Sequence, residues 1–256
     1  VPQWLVLTVA MAAACVVVLV SVSLYQRRVG EDDDPSGTPD VIEYMTMMIG
    51  VVYAIVLGLA IAGVWEARGA AEDGVRTEAQ ALHEVSERAE VLPAEVRQRV
   101  DRDIEAYVRH VVRVEWPYMA AHGELTGRGA ELLDRVRADV ARYEPRGELE
   151  SLVHQPLADQ VAAADAARSA RAASAGATMP GVIWFGLITG GLVTVGMVFA
   201  LQIRRSAREL LLAGLFSALI AFLLFVIWHF DAPLGRGVPD AAAPFLDHFP
   251  GALGPG

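Results

Sequence analysis

The sequence predicts an all-α membrane protein: four transmembrane helices with an antiparallel helical bundle inserted between the second and third spans. Three observations predict it. Four stretches, residues 4–24, 44–65, 181–201 and 210–228, are predominantly apolar, and about 20 such residues in a helix cross a hydrocarbon layer about 30 Å thick. None carries a charge in its central part, where one would cost roughly 2.5 kcal/mol or more. Residues 66–179 are polar, with helix-type periodicity and almost no strand signal. Finally, 54% of the 256 residues are hydrophobic and 20% are charged, which is too apolar for a disordered chain.

The domain organisation follows: 1–65 holds the first two spans, 66–179 the extramembrane bundle, 180–230 the third and fourth spans, and 231–256 a Pro/Gly-rich tail. The first span is too long for a signal-peptide core, and its Arg27-Arg28 pair follows it instead of preceding it. It is expected to stay in the mature protein. Trp4, Tyr25, Tyr44, Trp65, Trp184 and Trp228 mark span ends, where amphipathic rings prefer the headgroup level.

The polar stretch reads as four helices. The first continues from the second span to about Val91, with Val75, Leu82 and Val85 on one face, until Leu92-Pro93 breaks it. The second starts near Ala94 and places Val96, Val100, Ile104, Val108 and Val111 on one face. Glu115-Trp116-Pro117 ends or kinks it, because the proline stops the helix while the tryptophan buries a large surface. The third uses Leu132, Leu133, Val136 and Val140; the fourth starts near Glu148 and runs, alanine-rich, to Met179-Pro180. Arg168 and Arg171, one turn apart on that last helix, are expected to pair with Glu72, Asp73 or Glu78 on the first, the alternative being ligand binding.

Small residues recur every four positions in the second span, at Thr46, Gly50, Ala54, Gly58 and Ala62, and in the third at Gly186, Gly190 and Thr194 with Gly191 beside them. The fourth has Ala213, Ser217 and Ala221. In lipid such residues let helix backbones approach closely. They pack either within one subunit or across a subunit interface. Glu43 opens the second span and stands either at a pore mouth or in the headgroup layer. The acidic run Glu31, Asp32, Asp33, Asp34 could gather cations there, or is a solvated loop.

Orientation rests on arginines in short loops, which favour the cytoplasmic side. Arg27 and Arg28, and Arg204, Arg205 and Arg208, put both short loops inside and the bundle outside. The net charge of −10 argues against a nucleic-acid partner. Six histidines and one cysteine make no recognisable metal motif. No Walker loop, dinucleotide fingerprint or nucleophile elbow is present, so neither an enzyme nor a cofactor is expected.

The chain resembles the bestrophin-like domain family of bacterial membrane proteins of unknown function. The matching residues are Gly50 to Leu57 with Tyr53 among them, Trp65, Val75, Glu78-Ala79 and Ala81-Leu82. They continue with Val112, Glu115-Trp116-Pro117, Arg168, Arg171, Pro180, Trp184, the segment Asp231-Ala232-Pro233-Leu234-Gly235, and Pro244-Phe245. Two positions depart: Leu234 replaces the usual phenylalanine, and Glu43 stands where a glycine is common. The resemblance implies a distant likeness to bestrophins, pentameric ion channels whose second transmembrane helix lines a narrow apolar neck that gates by excluding water. It makes Met47, Met48, Val51 and Ile55 the candidate neck residues, with Glu43 at the mouth. It also implies a cytoplasmic helical domain, opposite to the arginine count. The expected function is therefore an oligomeric ion channel in the cell membrane, in contact with lipid. The alternative is a non-conducting scaffold or sensor whose helical domain binds a partner.

Overall fold

A computed structural model of the protein describes residues 40–200, 207–234 and 242–253. The expected first span at 4–24, Arg27, Arg28, the acidic run 31–34, Arg204, Arg205 and Gly235 lie outside the described residues, as do the side chains of Glu43 and Arg208.

Regular structure among the described residues is entirely helical. Helix α1 spans Asp40–Ala89 and α2 spans Ala94–His110; a π-helical turn at Val111–Glu115 leads directly into α3, Trp116–His122. Then come α4 (Gly127–Ala141), α5 (Glu148–Ala173), α6 (Gly181–Ala200), α7 (Ala207–Phe230), the short α8 (Ala243–His248) and a 3₁₀ turn at Pro250–Leu253. The chain divides into two compact units, Val1–Trp65 with Met179–Phe230, and Glu66–Thr178 with Asp231–Gly256.

Within the first unit, α1 and α7 are long and apolar enough to cross a membrane, and Gly181–Met197 is a shorter apolar helix. Its core joins Tyr53, Leu57 and Val64 of α1 to Leu187 of α6 and to Ile220 and Ile227 of α7. Tyr53, Leu57, Ala60 and Val64 are spaced by three or four residues, so one stripe of α1 faces that core.

The second unit has its own core. Helix α1 contributes Val75, Leu82 and Val85, α2 contributes Val96, Val100, Ile104 and Val108, α4 contributes Leu133, Val136 and Val140, and α5 contributes Leu157 and Val161. These are the faces that the spacing of apolar residues predicts. The C-terminal segment belongs to the same core through Leu234 and Phe245, and the His248 ring stacks on His83 with centroids 4.6 Å apart.

Two helix ends differ from the sequence reading. The fourth helix of this unit stops at Ala173, and the segment to Pro180 is a loop. Pro117 does not stop its helix either: it lies in the first turn of α3. In an α-helix a proline lacks one N–H and its ring presses on the carbonyl four residues back. Here the Trp116 N–H bonds five residues back to the Val111 carbonyl, which shifts the register just before the proline. The helix ends instead at Gly123, whose φ of 72° is a conformation glycine adopts freely.

Candidate functional site

Two sets of residues carry chemistry, one in each unit. In the first, α1 presents the predicted neck residues. Met47, Met48, Val51 and Ile55 are 64%, 65%, 55% and 58% exposed, although all four are apolar. Glu43 lies on the same helix. On the opposite side of α1, Tyr53 is buried, and its hydroxyl donates to the Leu187 carbonyl at 3.0 Å.

The small residues divide between two roles. Gly190 and Gly191 are a contact surface for Tyr53: a Cβ on Gly190 would come within 2.8 Å of the tyrosine ring, and one on Gly191 within 2.8 Å of its hydroxyl. Gly50, Gly58 and Gly186 have open space at the Cβ position among the described residues, and Ala54, Gly58 and Ala62 are exposed. Steps of four residues turn a stripe by about 40° each, at about 100° per residue. The stripe therefore starts half-buried at Thr46 and Gly50 and rotates off the packed face by Ala54. Among the described small residues, Gly190 and Gly191 lie against Tyr53, and Thr194, Ala213 and Ser217 are buried.

Other motif residues hold ends and corners. The Trp65 ring meets Phe230 edge-on at 5.4 Å. The Pro180 carbonyl accepts from the amides of Ile183 and Trp184 as α6 begins. Asp231 and Pro233 are buried. The Thr178 amide donates to the Asp231 carbonyl at 2.9 Å, and its hydroxyl donates to Oδ1 of Asp231 at 3.2 Å.

The second set is a buried ionic cluster. Glu78 of α1, Glu115 of the π turn, and Arg168 and Arg171 of α5 are at most 6% exposed. Arg171 donates from Nε and Nη2 to the two Glu78 oxygens at 2.7 and 3.0 Å, and from Nη2 to Oε1 of Glu115 at 2.9 Å. Arg168 grips Glu115 with both Nη atoms, at 2.6 and 2.8 Å. The expected pairing with α1 therefore holds for Arg171 and Glu78, whereas Arg168 pairs with Glu115 instead. Trp116 packs against the cluster, with the Arg171 guanidinium 5.7 Å from its ring centroid, and Pro117 is exposed beside it.

Tyr107, Thr126 and His110 complete the cluster and were not singled out in the sequence. The Tyr107 hydroxyl donates to Oε1 of Glu78 and accepts from Nη1 of Arg168 at 3.1 Å. Oε2 of Glu115 accepts from the Thr126 amide at 3.1 Å and from its hydroxyl at 2.7 Å. A readable signal existed: Tyr107 and Glu115 continue the buried spacing of Ile104, Val108 and Val111, and a polar group on an apolar face requires a partner.

Two carboxylates and two guanidiniums give no net charge, and each ionised group accepts or donates several charge-assisted hydrogen bonds. Burial acts to raise the Glu115 pKa, but hydrogen bonds from Arg168 and the charges of Arg171 and Arg168 overcome it and hold the group at about 2, against 4.5 ordinarily. Burial and the neighbouring Glu78 charge push the Tyr107 hydroxyl up, so it stays a proton donor. Because the folded pKa of Glu115 lies below its unfolded value, its stabilisation is complete above the unfolded value and is lost as pH falls through about 2. The urea midpoint should therefore decline between roughly pH 5 and pH 2, and Glu115→Gln should be less stable at neutral pH with a flatter acid limb. An identical acid limb in both chains would count against this linkage.

Among the described residues no group of three or more His, Cys, Asp or Glu side chains is placed to hold a metal ion. With every member paired to another, the cluster is built to fasten α1, the π turn and α5 together.

Comparison with known proteins agrees with this architecture. A crystal structure of a membrane protein is similar over 94% of this chain and 97% of its own, with a TM-score of 0.63 and 12% sequence identity, a likeness of fold alone. No curated protein matches. The bestrophin-like domain matches residues 12–238, which include α1 with its apolar exposed face, the π turn and all four charges of the buried cluster. The chain therefore belongs to the bestrophin-like domain family.

Proposed function

We propose that the chain is one subunit of an oligomeric ion channel in the cell membrane. It crosses the bilayer four times, with residues 66–179 as a helical domain inserted between the second and third spans. The observation that carries this reading is the outer face of α1: Met47, Met48, Val51 and Ile55 are exposed while Tyr53, Leu57 and Val64 fill the subunit core. A helix so divided presents an apolar, unbranched-to-branched surface to whatever completes the assembly. Repeated around a ring, that surface makes a narrow constriction of the kind that gates by dewetting. Gly58 and Ala62 on the exposed side leave room for a neighbouring helix backbone. Membership of the family favours the same reading. No catalytic step or cofactor enters it.

A non-conducting scaffold or sensor is the second reading, favoured by the tightly tied ionic cluster of the polar unit. The two separate in a planar bilayer holding the purified protein under a KCl gradient. The channel reading expects a current that Met48→Trp and Gly58→Leu each reduce to a small fraction, with the protein still folded. The sign of the reversal potential then reports anion or cation selectivity. Silence from folded oligomers, over a range of voltage and pH, would leave the scaffold.

A further inference from the structure

The stretch from Arg109 to His122 has two unlike sides. Its inner side is fixed to the polar unit: Glu115 and Met119 are fully buried. Nε2 of His110 lies 2.7 Å from Oγ1 of Thr126, the oxygen that caps α4 by accepting from the Gly129 amide at 3.4 Å. The outer side carries two adjacent rows at steps of four residues, Arg109, Arg113 and Pro117 in one and Val114, Tyr118 and His122 in the other, all of them exposed. The Tyr118 ring stacks on His122 with centroids 4.2 Å apart. The whole chain has a net charge of −10, yet no carboxylate is exposed between residues 109 and 122, because the one acid there is the buried Glu115. Glu105 and Glu124 are the nearest exposed acids along the chain. A basic, aromatic and apolar surface on an acidic protein suits a partner that is both anionic and partly apolar.

We propose that this outer side docks on anionic lipid headgroups at the surface of the bilayer that the apolar helices cross. Chain reach supports it. Helix α3 ends at Gly123, where a Cβ would stand 3.3 Å from the Cα of Gly176. Gly176 is three residues before Met179, where the chain enters the apolar unit. A chain spans at most about 3.6 Å per residue, so α3 ends within about 15 Å of that entry. Tyrosine favours the headgroup level, its ring on the apolar side and its hydroxyl in water. Arginines near an anionic leaflet add attraction. Leu149 and Leu152 are the contrast: they are exposed apolar residues too, but Leu152 lies about 30 Å along α5 from Ala173, and Glu148 and Glu150 flank the pair. The docking rests on the apolar unit crossing a bilayer and does not depend on whether the chain conducts.

The test is electron paramagnetic resonance of the full chain in vesicles. The single cysteine is replaced by Cys15→Ser, and one nitroxide is attached at Tyr118→Cys, Leu149→Cys or Leu192→Cys in turn. In phosphatidylcholine containing one third phosphatidylglycerol, oxygen should reach the label at 118 more often than a water-soluble nickel chelate does, while the chelate should dominate at 149. Removing phosphatidylglycerol should release the label at 118. Arg109→Gln and Arg113→Gln should each lower its docked-to-free ratio by about fivefold, a loss that high salt reproduces. Leu192, exposed on α6, reports membrane crossing by itself. A lipid-accessible label at 192 with a water-accessible one at 118 overturns the docking alone, whereas a water-accessible label at 192 removes the membrane reading and the docking with it. A label at 118 shielded from both reagents and indifferent to phosphatidylglycerol would mean contact with a second copy, and would also overturn the proposal.

Discussion

Arg171→Met is expected to destabilise the protein by roughly 3–5 kcal/mol, the usual cost of removing one partner from a buried ion pair. Arg171 is fully buried and supplies three short hydrogen bonds to two carboxylates. Methionine fills much of the same volume, so the loss is electrostatic and not a cavity. Among the described residues, Glu78 would keep only the Tyr107 hydroxyl, and Glu115 would keep Arg168 and Thr126. The uncompensated charge thus falls on Glu78. Arg171→Lys should not rescue, because an ammonium cannot make the two-pronged contact with Glu78 while also reaching Glu115. Adding Glu78→Gln to Arg171→Met should recover a large part of the loss, since no ion is then left alone in the core. Urea unfolding followed by circular dichroism in detergent measures all three. Arg171→Met within about 1 kcal/mol of wild type would mean that the pair contributes no more than an exposed one.

The contrast between Arg171 and Arg168 shows what the sequence made legible. Glu78 sits among Val75, Ala79 and Leu82 on the face of α1 that apolar spacing marks as buried, so an arginine from the last polar helix was a readable partner. Glu115 carries the equivalent face of α2 on into the π turn, four residues beyond Val111. It continues the buried spacing, but the proline two positions later reads as a helix end and masks that signal. The π turn at Val111–Glu115 absorbs the proline and lets the helix continue to His122. A π turn is a property of tertiary packing and has no spacing rule of its own. Thr126 was out of reach for a related reason: its role depends on where a loop crosses an already folded cluster. The apolar helices behaved differently. The length and apolarity of α1 and α7 were evident from composition, but the facing of each small residue was not. Gly190 and Gly50 look alike in sequence, and only Tyr53 distinguishes them, by lying against the first.

Gly129→Ala is the other substitution with a large expected effect, and its sign is opposite to the helix-propensity rule. In a helix, alanine is favoured over glycine by about 1 kcal/mol. Gly127, at the exposed start of α4, has open space around its Cβ position, and Gly127→Ala should be neutral or stabilising by up to that amount. Gly129 lies two residues on, buried beneath the ionic cluster. A Cβ there would overlap Oε2 of Glu115 and stand 2.5 and 2.8 Å from the Nη atoms of Arg168. These are side-chain ends, which usually give way, but here both are pinned. Oε2 of Glu115 holds the Thr126 amide, the Thr126 hydroxyl and Arg168 at once. Arg168 cannot retreat without also releasing Tyr107 and the Thr126 carbonyl. Overpacking and the stretching of charge-assisted bonds together set the expected loss at about 2–4 kcal/mol. Unfolding of the two alanine variants side by side is the measurement. If Gly129→Ala proves as stable as Gly127→Ala, the cluster is soft enough to move aside, and neither the pinning of Glu115 nor the coupling of Thr126 to the cap of α4 would survive.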